Sequence, residues 1–405
     1  MFSSSRHWLN IGLLSYGMAL SQSGMLIYLS LISMVGFQLA PSPALTTLPF
    51  AIQSVFSALA SYPVAYLMAW LGRKWGIILG QLFGIGGASL MVAALMLSQF
   101  WLLIAACVLF GIYFSLTQQI RFAAAELVPT AMKDQAVSLV IGAAVVASIL
   151  GPGLSTWGES FGYGVPFVGS FAAIIPLCLM VAMGVLWLRV PVRETRPRMG
   201  GGRPLSQILK AGAWRPMVAA AVSFAMMAFV MIATPLSMNH AHFHVSDSNT
   251  VVQFHSLGMF LPGLFLGPFL KRFGPKRLIL AGIGVFVLAI LINLQGMSFW
   301  HYFSGLLLVG VAWSLMFVSA TSWLTRYYRP DEAARVQSFN DFCVFMVVAV
   351  CGFFSGKVLA TFGWEGVNLV MLPSLALVAL ICLLEPKTSP LADKTAGSTI
   401  DNQAG

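Results

Sequence analysis

Five soft side chains stand at helical spacing in one short stretch of this chain. Met227 and Met231 are four residues apart, as are His255 and Met259, and Met238 lies further along the run that holds the first pair. A step of four puts two side chains on one helix face, and at 100° per residue the three methionines fall within about 40° of one another. Thioether and neutral imidazole groups suit Cu(I) better than a hard cation. Between the pairs runs Asn239-His240-Ala241-His242-Phe243-His244, three alternating histidines able to gather such an ion. The same residues also read as packing. The chain has 21 Met, Met fills irregular core gaps, and a backbone carbonyl satisfies a buried His. Residue chemistry alone leaves both readings open.

Other groups carry charge where it is expensive. Arg121 and Glu126 lie in RFAAAE, and Asp341 lies in SFNDF. An ionisable group at membrane depth points to function. Arg121 and Glu126 are five apart and do not share a helix face well, so they read equally as interfacial gating charges. Asp341 reads as a proton relay or as the gate partner of a basic residue. The five cysteines, Cys107, Cys178, Cys343, Cys351 and Cys382, form no C-x-x-C pair and read as small buried hydrophobes. No nucleophile–base pair or phosphate loop supports an enzyme, and no cofactor is expected.

The elements that position these groups are membrane helices. The 405 residues are 59% hydrophobic and 8% charged, with a mean hydropathy of +0.87, against roughly 25% charged residues in an average soluble protein. Runs of about 20 apolar residues cross a bilayer. Twelve are expected, at 8–37, 44–71, 75–97, 100–127, 134–157, 166–189, 216–239, 250–270, 276–296, 300–326, 335–360 and 366–385. The first is read as a span rather than a removable leader. The net charge of +10 sits in alternate loops, which argues for the positive-inside rule rather than nucleic-acid binding. Lys and Arg are missing from the other loops, with Lys357 near a span end as the exception. Both termini and the central loop are therefore expected in the cytoplasm.

The chain divides into a six-helix half at 1–189, a basic Pro- and Gly-rich linker at 190–215, a second six-helix half at 216–385 and a disordered tail at 386–405. The halves echo each other at an offset near 200 residues. Leu71-Gly72-Arg73-Lys74 answers Phe273-Gly274-Pro275-Lys276, and Gly111 with Ser115-Leu116 answers Gly310 with Ser314-Leu315.

A parallel repeat of six-span halves resembles the major facilitator superfamily. Ala65 to Lys74 looks like its loop motif G-x-L-x-D-x-x-G-R-K. Gly72, Arg73 and Lys74 match, while Ala65 and Ala69 stand for the first Gly and the Asp. In the family that Asp makes an inter-half charge contact. Within the superfamily, Met227-Ala-Phe-Val-Met231 and His255-Ser-Leu-Gly-Met259 resemble the paired motifs of the CcoA-like (CalT) copper importers of proteobacteria. That resemblance implies Met227, Met231, His255 and Met259 as copper positions. The stretches at 121–126, 233–238 and 338–342 also look like the wider family, which includes relatives proposed to carry riboflavin.

The expectation is thus an all-α membrane protein of twelve helices in a bacterial inner membrane. It is expected to act as a monomer, with the bilayer and a small ion or small molecule as its partners and no nucleic acid. Copper is the expected transported substrate, gathered at His240, His242 and His244. Gly72, Arg73, Lys74, Arg121, Glu126 and Asp341 are the gating or coupling candidates. The alternatives are a carrier of a small organic solute such as riboflavin, and a non-transporting receptor or assembly factor.

Overall fold

A computed structural model describes residues 2–129, 132–161, 164–188, 202–329 and 332–384. Residues 190–201 of the linker, the whole tail and the side chain of Glu126 lie outside the described residues. Every regular element among the described residues is a helix.

The first half contains span one (Phe2–Leu39), span two (Leu48–Leu71), span three (Arg73–Met96) and span four (Phe100–Gln118, continued by Ile120–Glu126). Span five is Lys133–Gly142 with Ala144–Glu159, and span six is Val168–Ala172 with Ile174–Leu186. The second half opens with span seven (Trp214–His240), followed by span eight (Val245–Phe260 and Leu266–Phe273). Spans nine and ten are Pro275–Asn293 and Phe299–Leu324. The last two share a long helical stretch, Ala333–Leu369, that runs on to Leu372–Leu384. Gly363 breaks it with φ +66° and ψ −169°. Span eleven therefore ends at that glycine and span twelve begins after it. One helix of such length would be about 75 Å long, more than twice the roughly 30 Å apolar core of a bilayer.

Two elements differ from the sequence reading. Span eight was expected to run straight through 250–270. It starts earlier, at Val245, and bends by 58° before Leu266–Phe273. Pro262 lacks an N–H and clashes with the preceding turn, so the helix ends at Phe260. The linker is also shorter than expected, because Leu205–Ile208 and the wide turn Leu209–Ala213 lead directly into span seven.

The repeat is visible in the backbone. Gly72 (φ +82°, ψ 160°) and Gly274 (φ +75°, ψ 161°) make the same left-handed turn between paired spans, a conformation that L side chains avoid. In span four, a Cβ on Gly111 would lie 2.5 Å from the Gln53 carbonyl of span two. In span ten, a Cβ on Gly310 would collide with the His255 carbonyl of span eight. Each half thus presses its second and fourth spans together at the matching glycine.

Position in the membrane follows composition. Every residue from Ala225 to Met238 in span seven is buried, so this helix is central. Span twelve shows Leu377, Leu380, Leu383 and Leu384 outward, as a lipid-facing helix does.

A charged cluster on the basic face anchors the end of the linker. The completely buried Glu332 carboxylate takes two charge-assisted hydrogen bonds from the Arg203 guanidinium, at 2.9 and 2.8 Å, and one from the Arg329 backbone N–H at 2.9 Å. Arg203 also donates to the Tyr327 carbonyl at 3.0 Å. Hydrogen bonding from Arg203 holds the Glu332 carboxyl down at about 2, against an ordinary value of 4.5. A depressed pKa gives stability that is complete above the unfolded value and lost as pH falls through the folded one. Glu332→Gln therefore costs about 3 kcal/mol at neutral pH. In thermal unfolding of purified protein, the gap between variant and wild type narrows as pH falls from 5 to 3.

Candidate substrate site

Between the halves, at mid-depth, lies a cavity with about 710 Å³ of empty space, its open mouth included. Its wall comes from spans one, two, four, seven, eight, ten and eleven. Met227 and Met231 enter from span seven and Met259 from span eight. All three are more than nine-tenths buried from solvent.

Other methionines do something different. Met226 turns away to span twelve, where its sulfur accepts a hydrogen bond from the Ser374 hydroxyl at 3.1 Å. Met68 fills the space left by Gly76 between spans two and three, and Met316 fills that at Gly282. Met238 is fully buried but does not line the cavity. The structure thus separates three of the motif methionines from the gap-filling ones.

His255 sits one turn from Met259, toward the face opposite the basic loops. It is completely buried and is not part of the cavity wall. Its Nδ1 lies 2.8 Å from the Leu306 carbonyl of span ten. A carbonyl only accepts, so Nδ1 carries the proton and the neutral ring leaves a lone pair on Nε2. That Nε2 is buried and has no hydrogen-bond partner among the described residues. A metal-binding histidine donates its other ring N–H in this way, as does a histidine that only packs.

The three loop histidines are exposed and separate. His240 packs edge-on against Phe37 of span one, with ring centroids 5.8 Å apart. His244 caps the start of span eight together with Asp247. Among the described residues no three His, Cys, Asp or Glu side chains are grouped to hold a metal, so the loop forms no preassembled ion trap.

Toward the basic face the cavity meets an aromatic layer. Phe345 of span eleven lies 5.4 Å from Phe114 of span four and 5.7 Å from Phe224 of span seven, and Phe224 lies 5.5 Å from Trp313 of span ten. Beyond this layer Arg121 of span four reaches Asp341 of span eleven at 3.4 Å, joining the two halves. Each side chain is just over a quarter exposed, so the pair contributes modestly. Asp341→Arg sets two cations face to face and is expected to lower transport about fivefold, the equivalent of roughly 1 kcal/mol. The exchange Arg121→Asp with Asp341→Arg recovers most of it in the same uptake assay.

On the opposite face the halves meet through Thr47, whose hydroxyl donates to the Phe353 carbonyl at 2.8 Å, and through Asn249, which donates to the Thr156 hydroxyl at 3.0 Å. The loop residues Arg73 and Lys74 hold their own half together. Arg73 donates to the Gln119 side chain of span four at 3.2 Å, and Lys74 donates to the Leu186 carbonyl of span six.

Sequence reasoning missed Phe114, Phe224, Trp313 and Phe345, because an aromatic residue in an apolar run carries no mark of facing a cavity. One signal existed. Phe114 stands three residues after Gly111 and Trp313 three after Gly310, at matching places in the repeat.

Two six-span halves around a mid-depth cavity, with contacts between them on both faces, are the architecture of a membrane carrier. The chain belongs to the Major Facilitator Superfamily, whose family model matches residues 13–253 and 216–400. It is 34% identical over 384 residues to the riboflavin transporter RfnT of Brucella anthropi, covering 93% of this chain and 96% of that one. It is 22% identical over 355 residues to YdeG of Bacillus subtilis, an uncharacterized MFS-type transporter, covering 84% and 83% of the two chains. The crystal structure of the human organic anion transporter MFSD10 superimposes with a TM-score of 0.68 at 13% identity, covering 93% of this chain and 99% of that one. That last likeness is one of fold alone.

Proposed function

We propose that this transporter imports copper across a bacterial inner membrane, with its basic face in the cytoplasm. The observation that carries the reading is the buried, unpartnered Nε2 of His255 one turn from a cavity lined by Met227, Met231 and Met259. A bare imidazole lone pair in an apolar interior is costly without a ligand. The sulfurs supply the soft donors that copper prefers, and thioethers bind weakly enough to release it. The four residues are also those implied by the resemblance to CcoA-like importers. Ion entry from the histidine side, binding between the halves and release past the aromatic layer and the Arg121–Asp341 pair make up the transport cycle.

A second reading has its own support. The relative from Brucella anthropi is named for riboflavin, and the aromatic layer offers flat surfaces on which a heterocyclic ring would stack. In that reading the unpartnered Gln22 Oε1 and Trp313 Nε1 would take up polar edges of the solute. Expression in a copper-uptake-deficient strain and in a riboflavin auxotroph separates the two. Copper import restores cellular copper in the first and leaves the second dependent on high external riboflavin. The reverse pattern sinks the copper reading.

A further inference from the structure

The cavity has a fourth sulfur, and it comes from the other half. Met25 of span one lines the same wall as Met227, Met231 and Met259. The motif spacing does not mark it, since neither Met18, Met25 nor Met34 has a Met or His four residues away. Its position in the repeat does. Gly72 and Gly274, which make the matching turns of the two halves, are 202 positions apart. The same step carries Met25 onto Met227. It also carries Gln22 onto Phe224, Leu26 onto Ala228 and Leu29 onto Met231, and all eight residues line the cavity. Spans one and seven therefore present the same four positions to the space between them, and the only one of the four with a thioether on both sides is the Met25–Met227 pair.

We infer that Met25 is a copper ligand contributed by the first half, facing Met227 across the cavity; this inference rests on the copper reading above. The physical argument concerns coupling as well as coordination. Met227, Met231, His255 and Met259 all belong to the second half. An ion held only by one half gains no differential contact when the halves rock, and a ligand shifts a conformational equilibrium only by its differential affinity for the two states. A thioether from span one makes the bound ion bridge the halves, so that binding favours the state in which they close on it. Met25 is 5% exposed, which already places its side chain out of contact with bulk water. Among the described residues its sulfur has no polar partner of the kind Ser374 provides to Met226.

The test uses purified full-length protein titrated anaerobically with Cu(I) against a chromogenic chelator, followed by X-ray absorption at the copper edge. Met25→Leu keeps the side-chain volume and is expected to weaken Cu(I) binding at least tenfold and to remove one sulfur from the coordination shell. Met25→His returns a soft donor and restores binding to within about threefold of wild type. Met34→Leu, buried on the same helix away from the cavity, changes neither readout. Met25→Ala tests the same loss should the leucine variant fold poorly. If the Leu and Ala variants bind with wild-type affinity and an unchanged sulfur count, Met25 is not a ligand, while the copper reading stands. If the wild type binds no Cu(I), both fall together.

Discussion

On the copper reading, Met227→Leu combined with Met259→Leu is expected to remove most copper accumulation while leaving the transporter folded and in the membrane. Leucine matches methionine in volume, and such exchanges in a core usually cost less than about 1.5 kcal/mol. What disappears is the polarizable sulfur. Met227 and Met259 reach the cavity from neighbouring antiparallel helices at similar depth, so the double change strips donors from both spans at once. Cellular copper, measured by mass spectrometry and normalised to transporter abundance, is expected to fall at least tenfold, because a soft cation finds little affinity in an alkyl wall. The exchange Met226→Leu leaves accumulation near wild type, since that sulfur faces Ser374 on span twelve. Equal transport by the double variant and wild type would falsify the sulfur-lined path.

The second large effect lies outside the cavity. Gly310→Ala is expected to cost about 1–3 kcal/mol through overpacking and to reduce transport more than its stability loss alone explains. The added Cβ would collide with the His255 carbonyl and lie 3.0 Å from the Met259 backbone nitrogen. Spans eight and ten must then separate where the imidazole and the thioether are attached. The hydrogen bond from His255 to Leu306 of span ten is made across the same interface. Gly284→Ala is the control, because nothing lies within 4 Å of a Cβ at that position in span nine. Thermal unfolding and uptake of both variants read the two effects separately. If Gly310→Ala melts and transports like Gly284→Ala, the tight packing of His255 against span ten has no bearing on transport.

Much of the fold is written plainly in the sequence, because twenty-residue apolar runs and loop charge are strong signals. Spans two, three, nine and ten begin and end within a few residues of the hydropathy pattern, at turns set by Gly72, Ser98, Gly274 and Ser298. The break at Gly363 falls in the expected gap between the last two spans. What hydropathy does not carry is direction within an apolar surrounding. Met226 and Met227 are adjacent and chemically identical, yet one faces span twelve and the other the cavity. Helical spacing selected Met227, Met231 and Met259, which share the cavity, but it also selected Met238, which does not line it. It paired His255 with Met259 without revealing that the imidazole is held toward span ten. The link between Arg203 and Glu332 was beyond reach, because a basic loop next to a membrane has a general explanation that conceals a specific partner.

Transport by the purified protein bears most directly on what the cavity carries. Proteoliposomes given radiolabelled Cu(I) under ascorbate, and in parallel tritiated riboflavin, report the substrate without the cell. The copper account predicts protein-dependent accumulation of copper, lost in the Met227→Leu, Met259→Leu double variant, with riboflavin entering no faster than into empty liposomes. Riboflavin accumulation that the double variant retains, with copper at the level of empty liposomes, contradicts it.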